Sequence, residues 1–95
     1  MTFETFITSL AANQVPEELN VLQKALWYAK KGDWDQAHEL AQSLHTSEAA
    51  WVHAYLHRAE GDLWNADYWY RQAQKSRPAY SLKEEWEQIS KALLG

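Results

Sequence analysis

The chain has 95 residues, a length typical of one domain, with 13 acidic and 9 basic side chains and a formal net charge of −4. It has no cysteine, which excludes disulfides, thiolate metal sites and cysteine nucleophiles and agrees with a reducing compartment. The basic residues are scattered rather than arranged in a stripe, so we expect no nucleic-acid partner. The sequence lacks the basic start of a secretory signal and the roughly 20-residue apolar run of a membrane helix, so we expect a cytoplasmic protein without membrane insertion.

Aromatic residues are the most unusual feature of the composition, with six Trp, five Tyr and two Phe. Large rings bury more area per residue than aliphatic side chains, which suits a domain with a thin core. We favour this packing interpretation. The alternative is that some of the rings line a binding groove.

The three glycines and two prolines divide the chain into helical segments. Apolar residues recur at helical spacing, and no alternating strand pattern is present. The first helix is predicted at about residues 2–12, with Thr2 as its N-cap. The second is predicted to begin around Pro16 and to stop at Lys30-Lys31-Gly32, because basic residues before a glycine are typical of a helix end.

Four more helices follow, which completes an all-α prediction for a single domain over residues 1–95. The third is predicted from Asp33 to about Leu44. Ser47 is a candidate cap for the fourth, which ends at Gly61. Asp62 caps the fifth, which ends before the second proline. The sixth spans 81–94 and opens with the capping-box pattern Ser81-Leu82-Lys83-Glu84.

An internal repeat relates the second and third helices to the fourth and fifth, with an offset of 29 residues. The shared frame is an alanine, six residues, Gly-Asp, three residues and another alanine. The glycine suits a left-handed helix end, the aspartate caps the next helix, and the alanines permit close helix packing. The matched pairs are Ala25 with Ala54, Gly32 with Gly61, Asp33 with Asp62, and Ala37 with Ala66.

The second unit resembles the second half of a tetratricopeptide repeat, in the stretch Gly61-Asp62-Leu63-Trp64-Asn65-Ala66 and then Tyr70, Ala73 and Pro78. The matching residues of the first unit are Ala25, Tyr28, Gly32, Ala37 and Leu44. The resemblance covers about residues 21–78 and implies tandem antiparallel helix hairpins, with the segments 2–12 and 81–94 as capping helices.

The sequence departs from the family pattern in four respects. The repeat period is 29 residues, against about 34 in the family, and no proline closes the first unit. Ala41 replaces an aromatic residue, and His57 stands where the first unit has Tyr28. The whole sequence is also similar to small bacterial proteins of tetratricopeptide-like type, and this similarity implies no activity.

A partner groove is the main functional implication of the resemblance, since the first helix of each hairpin would line the inner surface. The residues that would line the groove are Trp51, Tyr55 and Arg58 in the second unit and Leu22, Leu26 and Lys30 in the first. Two aromatic rings beside an arginine suit a peptide or a carboxylate. We favour the alternative that the sixth helix, with Trp86, Ile89, Leu93 and Leu94, covers this stripe and makes it core. A homo-oligomer that covers the same surface is a third interpretation.

His53 and His57 lie four residues apart, so both project from one face of the fourth helix. They are half of a zinc site, which needs a third ligand, and the zinc-protease pattern fails because Ala54 follows the first histidine. Structural histidines are favoured, and no metal or cofactor is predicted. With Tyr68 the two histidines form an alternative ligand site. His38 and His45 are interpreted as rim residues.

The leading functional hypothesis is a scaffold module that binds a protein or peptide partner, because no catalytic or nucleotide-binding motif is present. The alternative is a small-ligand or metal-binding protein, with enzymatic activity or without it, that uses His53, His57 and neighbouring aromatics. We therefore predict no catalytic residue and no enzyme. A purely structural or self-associating domain is the third hypothesis.

Overall fold

A computed structural model describes all 95 residues as six α-helices without a β-strand, which confirms the predicted all-α fold. In chain order the helices are α1 (Phe3–Ser9), α2 (Val21–Lys30), α3 (Trp34–Gln42), α4 (Ser47–Glu60), α5 (Leu63–Gln72) and α6 (Leu82–Leu94). None of the six is both long enough and apolar enough to cross a lipid bilayer.

The predicted start of the second helix at Pro16 is wrong. Pro16 lies in the connection after α1, and α2 begins at Val21 because Asn20 forms the cap. The Asn20 side chain accepts a hydrogen bond from the backbone N–H of Gln23 (2.9 Å), and the Gln23 side chain accepts one from the backbone N–H of Asn20 (3.0 Å). This reciprocal pair satisfies two free amides at once, which outweighs the preference of proline for a first turn.

Other helix ends differ from the predictions by a few residues. α1 ends at Ser9 rather than near residue 12, and α3 ends at Gln42 rather than near residue 44. Thr46, not Ser47, caps α4, since the Thr46 hydroxyl accepts the backbone N–H of Ala49 at 3.0 Å. Thr2 and Ser81 cap α1 and α6 as predicted.

The two hairpin turns have the same backbone geometry. Gly32 and Gly61 adopt the left-handed conformation, with φ of +86° and +89°. The next residue, Asp33 or Asp62, donates its backbone N–H to the carbonyl five residues earlier at 2.9 Å in both turns. Each aspartate side chain then accepts the amide three residues later, at 3.2 and 3.3 Å, and so caps the following helix.

The four alanines of the repeat are all fully buried. Ala25 and Ala37 lie in the main apolar core, and Ala54 and Ala66 lie in a smaller apolar cluster with Tyr70. A side chain of one carbon lets two helices approach closely, so the repeated alanines set the packing within each hairpin.

The terminal helices close the core. α6 packs against α2, α4 and α1. Its Trp86 is buried, stacks on Phe6 of α1 at 5.7 Å between ring centroids, and donates its indole N–H to the Leu26 carbonyl at 2.9 Å. α4 thereby becomes the central helix, in contact with α2, α3, α5 and α6.

Candidate functional site

The polar side chains of α4 lie on two faces. Trp51, Tyr55 and Arg58 point toward α6 and form what we call the Glu85 face, after the residue that they surround. His53 and His57 point toward α3 and α5, where His38 joins them in what we call the histidine cluster.

The carboxylate of Glu85 is fully buried and accepts hydrogen bonds from three side chains. Arg58 donates from Nη1 at 2.8 Å, the Tyr70 hydroxyl lies 2.8 and 2.7 Å from the two oxygens, and Trp51 donates from Nε1 at 3.3 Å. Arg58 also donates to the backbone carbonyl of Tyr80. Trp51 and Arg58 of the predicted clamp thus bind a carboxylate that α6 of the same chain supplies, and Tyr70 rather than Tyr55 provides the phenol.

The remaining predicted groove residues lie under or beside α6. Leu22, Leu26 and Tyr55 are buried, and the pKa of Tyr55 is raised to about 12 by burial and by the charge of Glu85. Lys30 is exposed, with its ammonium 4.9 Å from the centre of the Trp86 ring. Leu26 and Tyr55 share one apolar core with Trp86 and Ile89 of α6, whereas Trp51 is half-buried and Lys30 is exposed, so α6 covers part of this face.

The histidine cluster brings together three imidazoles from two helices. The Nε2 atoms of His38 and His53 are 3.0 Å apart, and one candidate ligand atom from each of the three histidines lies within 4.8 Å of the other two. The ring centroids of His53 and His57 are 5.0 Å apart, in the stacked orientation expected for a pair spaced by one helical turn.

Two tryptophans enclose the cluster. Trp34 stacks on His38, with centroids 4.7 Å apart and an interplanar angle of 11°. Trp69 stacks on His53 at 4.0 Å and 12°. The indole N–H of Trp34 donates to the Leu56 carbonyl at 2.7 Å, which fixes the position of that ring. The two indoles therefore limit the His38 and His53 rings to small rotations.

A carboxylate orients the third imidazole. His57 Nδ1 lies 2.7 Å from the Glu60 carboxylate, so the proton of neutral His57 lies on Nδ1 and its Nε2 lone pair is free. Asp62 is close to this pair, but its carboxylate caps α5, and hydrogen bonds from Asn65 lower the pKa of Asp62.

His38 and His53 are neutral at pH 7. Burial, followed by the neighbouring His38 and His57, lowers the pKa of His53 to about 4. Burial and His57 lower the pKa of His38, against a smaller opposing effect of Glu60 and Asp35. Each neutral imidazole keeps one N–H and one lone pair, so the rings can act as ligands or as hydrogen-bond partners.

A cavity of about 590 Å³ opens beside His53, between the α3–α4 connection and α5. We call it the His53 cavity. Its polar lining residues are Gln42, His45, Thr46, Ser47, Tyr68 and Gln72, and Trp69, Leu44, Ala49 and Ala50 complete the wall. No Asp, Glu, Lys or Arg lines it. Of the predicted alternative ligand residues, His53 and Tyr68 line this cavity, whereas His57 lies outside it, beside Glu60.

Sequence reasoning missed three residues that matter here. His38 was expected on the rim, as was His45, but only His45 is exposed, and His38 lies inside the cluster. Glu85 and Tyr70 were not singled out as partners of Arg58. The one local signal for His38 is its position four residues after Trp34, which places the two rings on one helix face.

No family model, curated protein or solved structure matches the chain. The fold and the side chains define a class: an all-helical protein with two helix hairpins, terminal helices that close the core, and a histidine cluster beside an open cavity.

Proposed function

We propose that this chain is a small helical binding module that takes up a short, carboxylate-bearing segment of a partner protein in the His53 cavity. The observation that carries the proposal is the cavity itself. Its volume of about 590 Å³ lies within the range of ligand pockets, roughly 300–1,000 Å³. Four other cavities measure about 290–430 Å³, and each of the four is lined by only six to eight residues.

The lining suits a peptide. Gln42 and Gln72 offer amides, Ser47 and Tyr68 offer hydroxyls, and the ring of Trp69 supplies an apolar surface. Side chains of these kinds hydrogen-bond to a peptide backbone and pack against its side chains, and aromatic rings are common anchors at interfaces.

The charge pattern favours an acidic segment or a C-terminal carboxylate. The chain carries 13 acidic residues, yet none lines the cavity, so a bound carboxylate meets no like charge there. His45 and the first turn of α4, whose dipole end is positive, border the same space, and the neutral His53 there offers a hydrogen bond rather than a charge.

An exposed aromatic strip extends the surface along α5. Tyr68 is 41% exposed, and Trp64, one turn earlier on the same helix, is 78% exposed. Residues four apart on a helix lie on one face, so the apolar surface continues from the cavity rim for one more turn. A segment of several residues can therefore make contacts both inside the cavity and along α5.

The test is photo-crosslinking with a benzophenone amino acid at Gln72, followed by peptide mapping of the crosslinked partner. We expect a single partner protein whose crosslinked segment contains Asp, Glu or a C-terminus. The double variant Tyr68→Ala, Gln72→Ala should lose that partner when it is used as bait.

A matched control is available on another face, where Tyr80 and Gln88 form a hydrogen bond at 3.1 Å outside the cavity. The variant Tyr80→Ala, Gln88→Ala removes the same two side-chain types and should retain the partner. Loss of the partner in the control but not in the cavity variant would place the interface elsewhere and refute the proposal. Absence of any specific crosslink from Gln72 would refute it as well.

A further inference from the structure

The sequence provides two histidines with metal-ligand spacing, and the fold adds the third ligand that such a site needs. His53 and His57 come from α4, and His38 comes from α3 of the preceding hairpin. The sequence favoured structural histidines that face the partner helix, and it offered only Glu60 and Asp62 as further ligands for a weak metal site. The tertiary contact between α3 and α4 adds His38 as a third imidazole.

We infer that His38, His53 and His57 form a binding site for a late first-row divalent metal ion, with Zn²⁺ as the natural probe. The inference does not rest on the proposed peptide binding, since the ligand set is complete without a partner. Three imidazole nitrogens suit zinc, copper or nickel, whereas calcium and magnesium require oxygen ligands.

The distances fit such an ion. In a tetrahedral zinc site with Zn–N bonds of about 2.0–2.1 Å, two ligand nitrogens lie about 3.4 Å apart. Here the Nε2 atoms of His38 and His53 are 3.0 Å apart, and all three candidate nitrogens lie within 4.8 Å of one another. Small side-chain rotations bring them to the required separation. The hydrogen bond between His38 and His53 is then replaced by two bonds to the ion.

The surroundings resemble the outer shell of histidine metal sites. Glu60 accepts a hydrogen bond from His57 Nδ1 at 2.7 Å, which orients the ring and leaves Nε2 to bind the ion. Trp34 and Trp69 stack on the other two imidazoles and hold them in place. Preorganised rings lose little conformational freedom on metal binding, which favours affinity.

Three protein ligands leave the fourth position of a tetrahedral ion to a water molecule or another small ligand. The ion would also link α3 of the first hairpin to α4 of the second. Metal binding should therefore stabilise the fold, since an ion that binds only the folded state shifts the unfolding equilibrium by mass action.

The experiment is a competition titration of the metal-free, tag-free protein with Zn²⁺ against a chromophoric chelator, together with the visible spectrum of the Co²⁺ form. We expect one ion per chain, a tetrahedral Co²⁺ spectrum and a rise in thermal midpoint with Zn²⁺. His38→Ala should weaken zinc binding at least about 100-fold, and Glu60→Gln should weaken it about 10–100-fold while three ligands remain.

His45→Ala is the matched control, because His45 is an exposed histidine outside the cluster. It should bind Zn²⁺ as the wild type does. Circular dichroism checks folding, and His38→Gln, which keeps more of the side-chain volume, replaces His38→Ala if the alanine variant unfolds. Equal zinc affinity in the wild type, the His38 variant and His45→Ala would overturn the inference and leave the cluster a packing feature. Because the crosslinking test at Gln72 needs no metal, either proposal can fail without the other.

Discussion

The Glu85 face and the histidine cluster differ in how their buried polar side chains are paired. On the Glu85 face, one buried carboxylate meets a guanidinium, a phenol and an indole, so every group has a partner of complementary character. In the histidine cluster, three groups of one kind face each other, and a single hydrogen bond joins two of them. Buried polar groups in proteins are normally paired. The Glu85 face therefore holds α6 in place, whereas the histidine cluster keeps nitrogen lone pairs that are available to a ligand.

The largest expected effect comes from breaking the Glu85 face. Glu85→Ala leaves Arg58 largely buried without its carboxylate and removes the acceptor of Tyr70 and Trp51. Loss of one partner from a buried ion pair typically costs about 3–5 kcal/mol. Urea unfolding followed by circular dichroism should show a decrease of this size in the free energy of unfolding.

Glu84→Ala is the control, since Glu84 precedes Glu85 on α6 but is exposed. A change below about 1 kcal/mol is expected there. Similar losses in both variants would mean that the carboxylate network does not hold α6 in place.

A smaller effect comes from the pH dependence of the histidine cluster. The pKa of His53 is about 4 in the folded chain against an ordinary value of 6.5, and that of His38 is lowered as well. Above pH 6.5 neither state of His53 is protonated. Between pH 6.5 and 4 only the unfolded chain takes up the proton, so stability falls as the pH falls. For His53 the loss is about 2–3 kcal/mol in the metal-free protein.

His53→Gln isolates this contribution, because carboxylates also lose stabilising interactions in acid. The difference in unfolding free energy between wild type and His53→Gln should shrink as the pH is lowered from 7 to 4, as measured by urea titrations at several pH values. A constant difference between wild type and His53→Gln across this range would contradict the assigned protonation behaviour.

The smallest expected effect concerns the one polar atom that α6 buries without a partner. The Ser90 hydroxyl is fully buried and makes no hydrogen bond. Ser90→Ala removes an unsatisfied group at little cost in volume, so stability should rise by up to about 1 kcal/mol. Thermal unfolding measures the change. A clear loss of stability would show that the hydroxyl is satisfied in solution, for example by a bound water.

The helices and the hairpin turns were predictable because their signals are local. A glycine at positive φ, the aspartate that caps the next helix and the buried alanines all act within one or two helical turns of chain. The start of α2 failed for a local reason too. Two capping signals four residues apart, Pro16 and Asn20, compete there, and the reciprocal hydrogen bonds of Asn20 with Gln23 decide the outcome.

The sequence by itself thus determined an all-helical chain with a repeated Gly-Asp turn and a histidine pair on one face of α4. It also offered Trp51, Tyr55 and Arg58 as a candidate clamp for a peptide or a carboxylate, beside the favoured interpretation that the sixth helix covers them. Only the tertiary structure decided that Glu85, 27 residues after Arg58, is the carboxylate, and that His38, 15 residues before His53, completes the cluster. Helix signals extend over three or four residues, whereas these contacts depend on how whole helices pack, which no local pattern specifies.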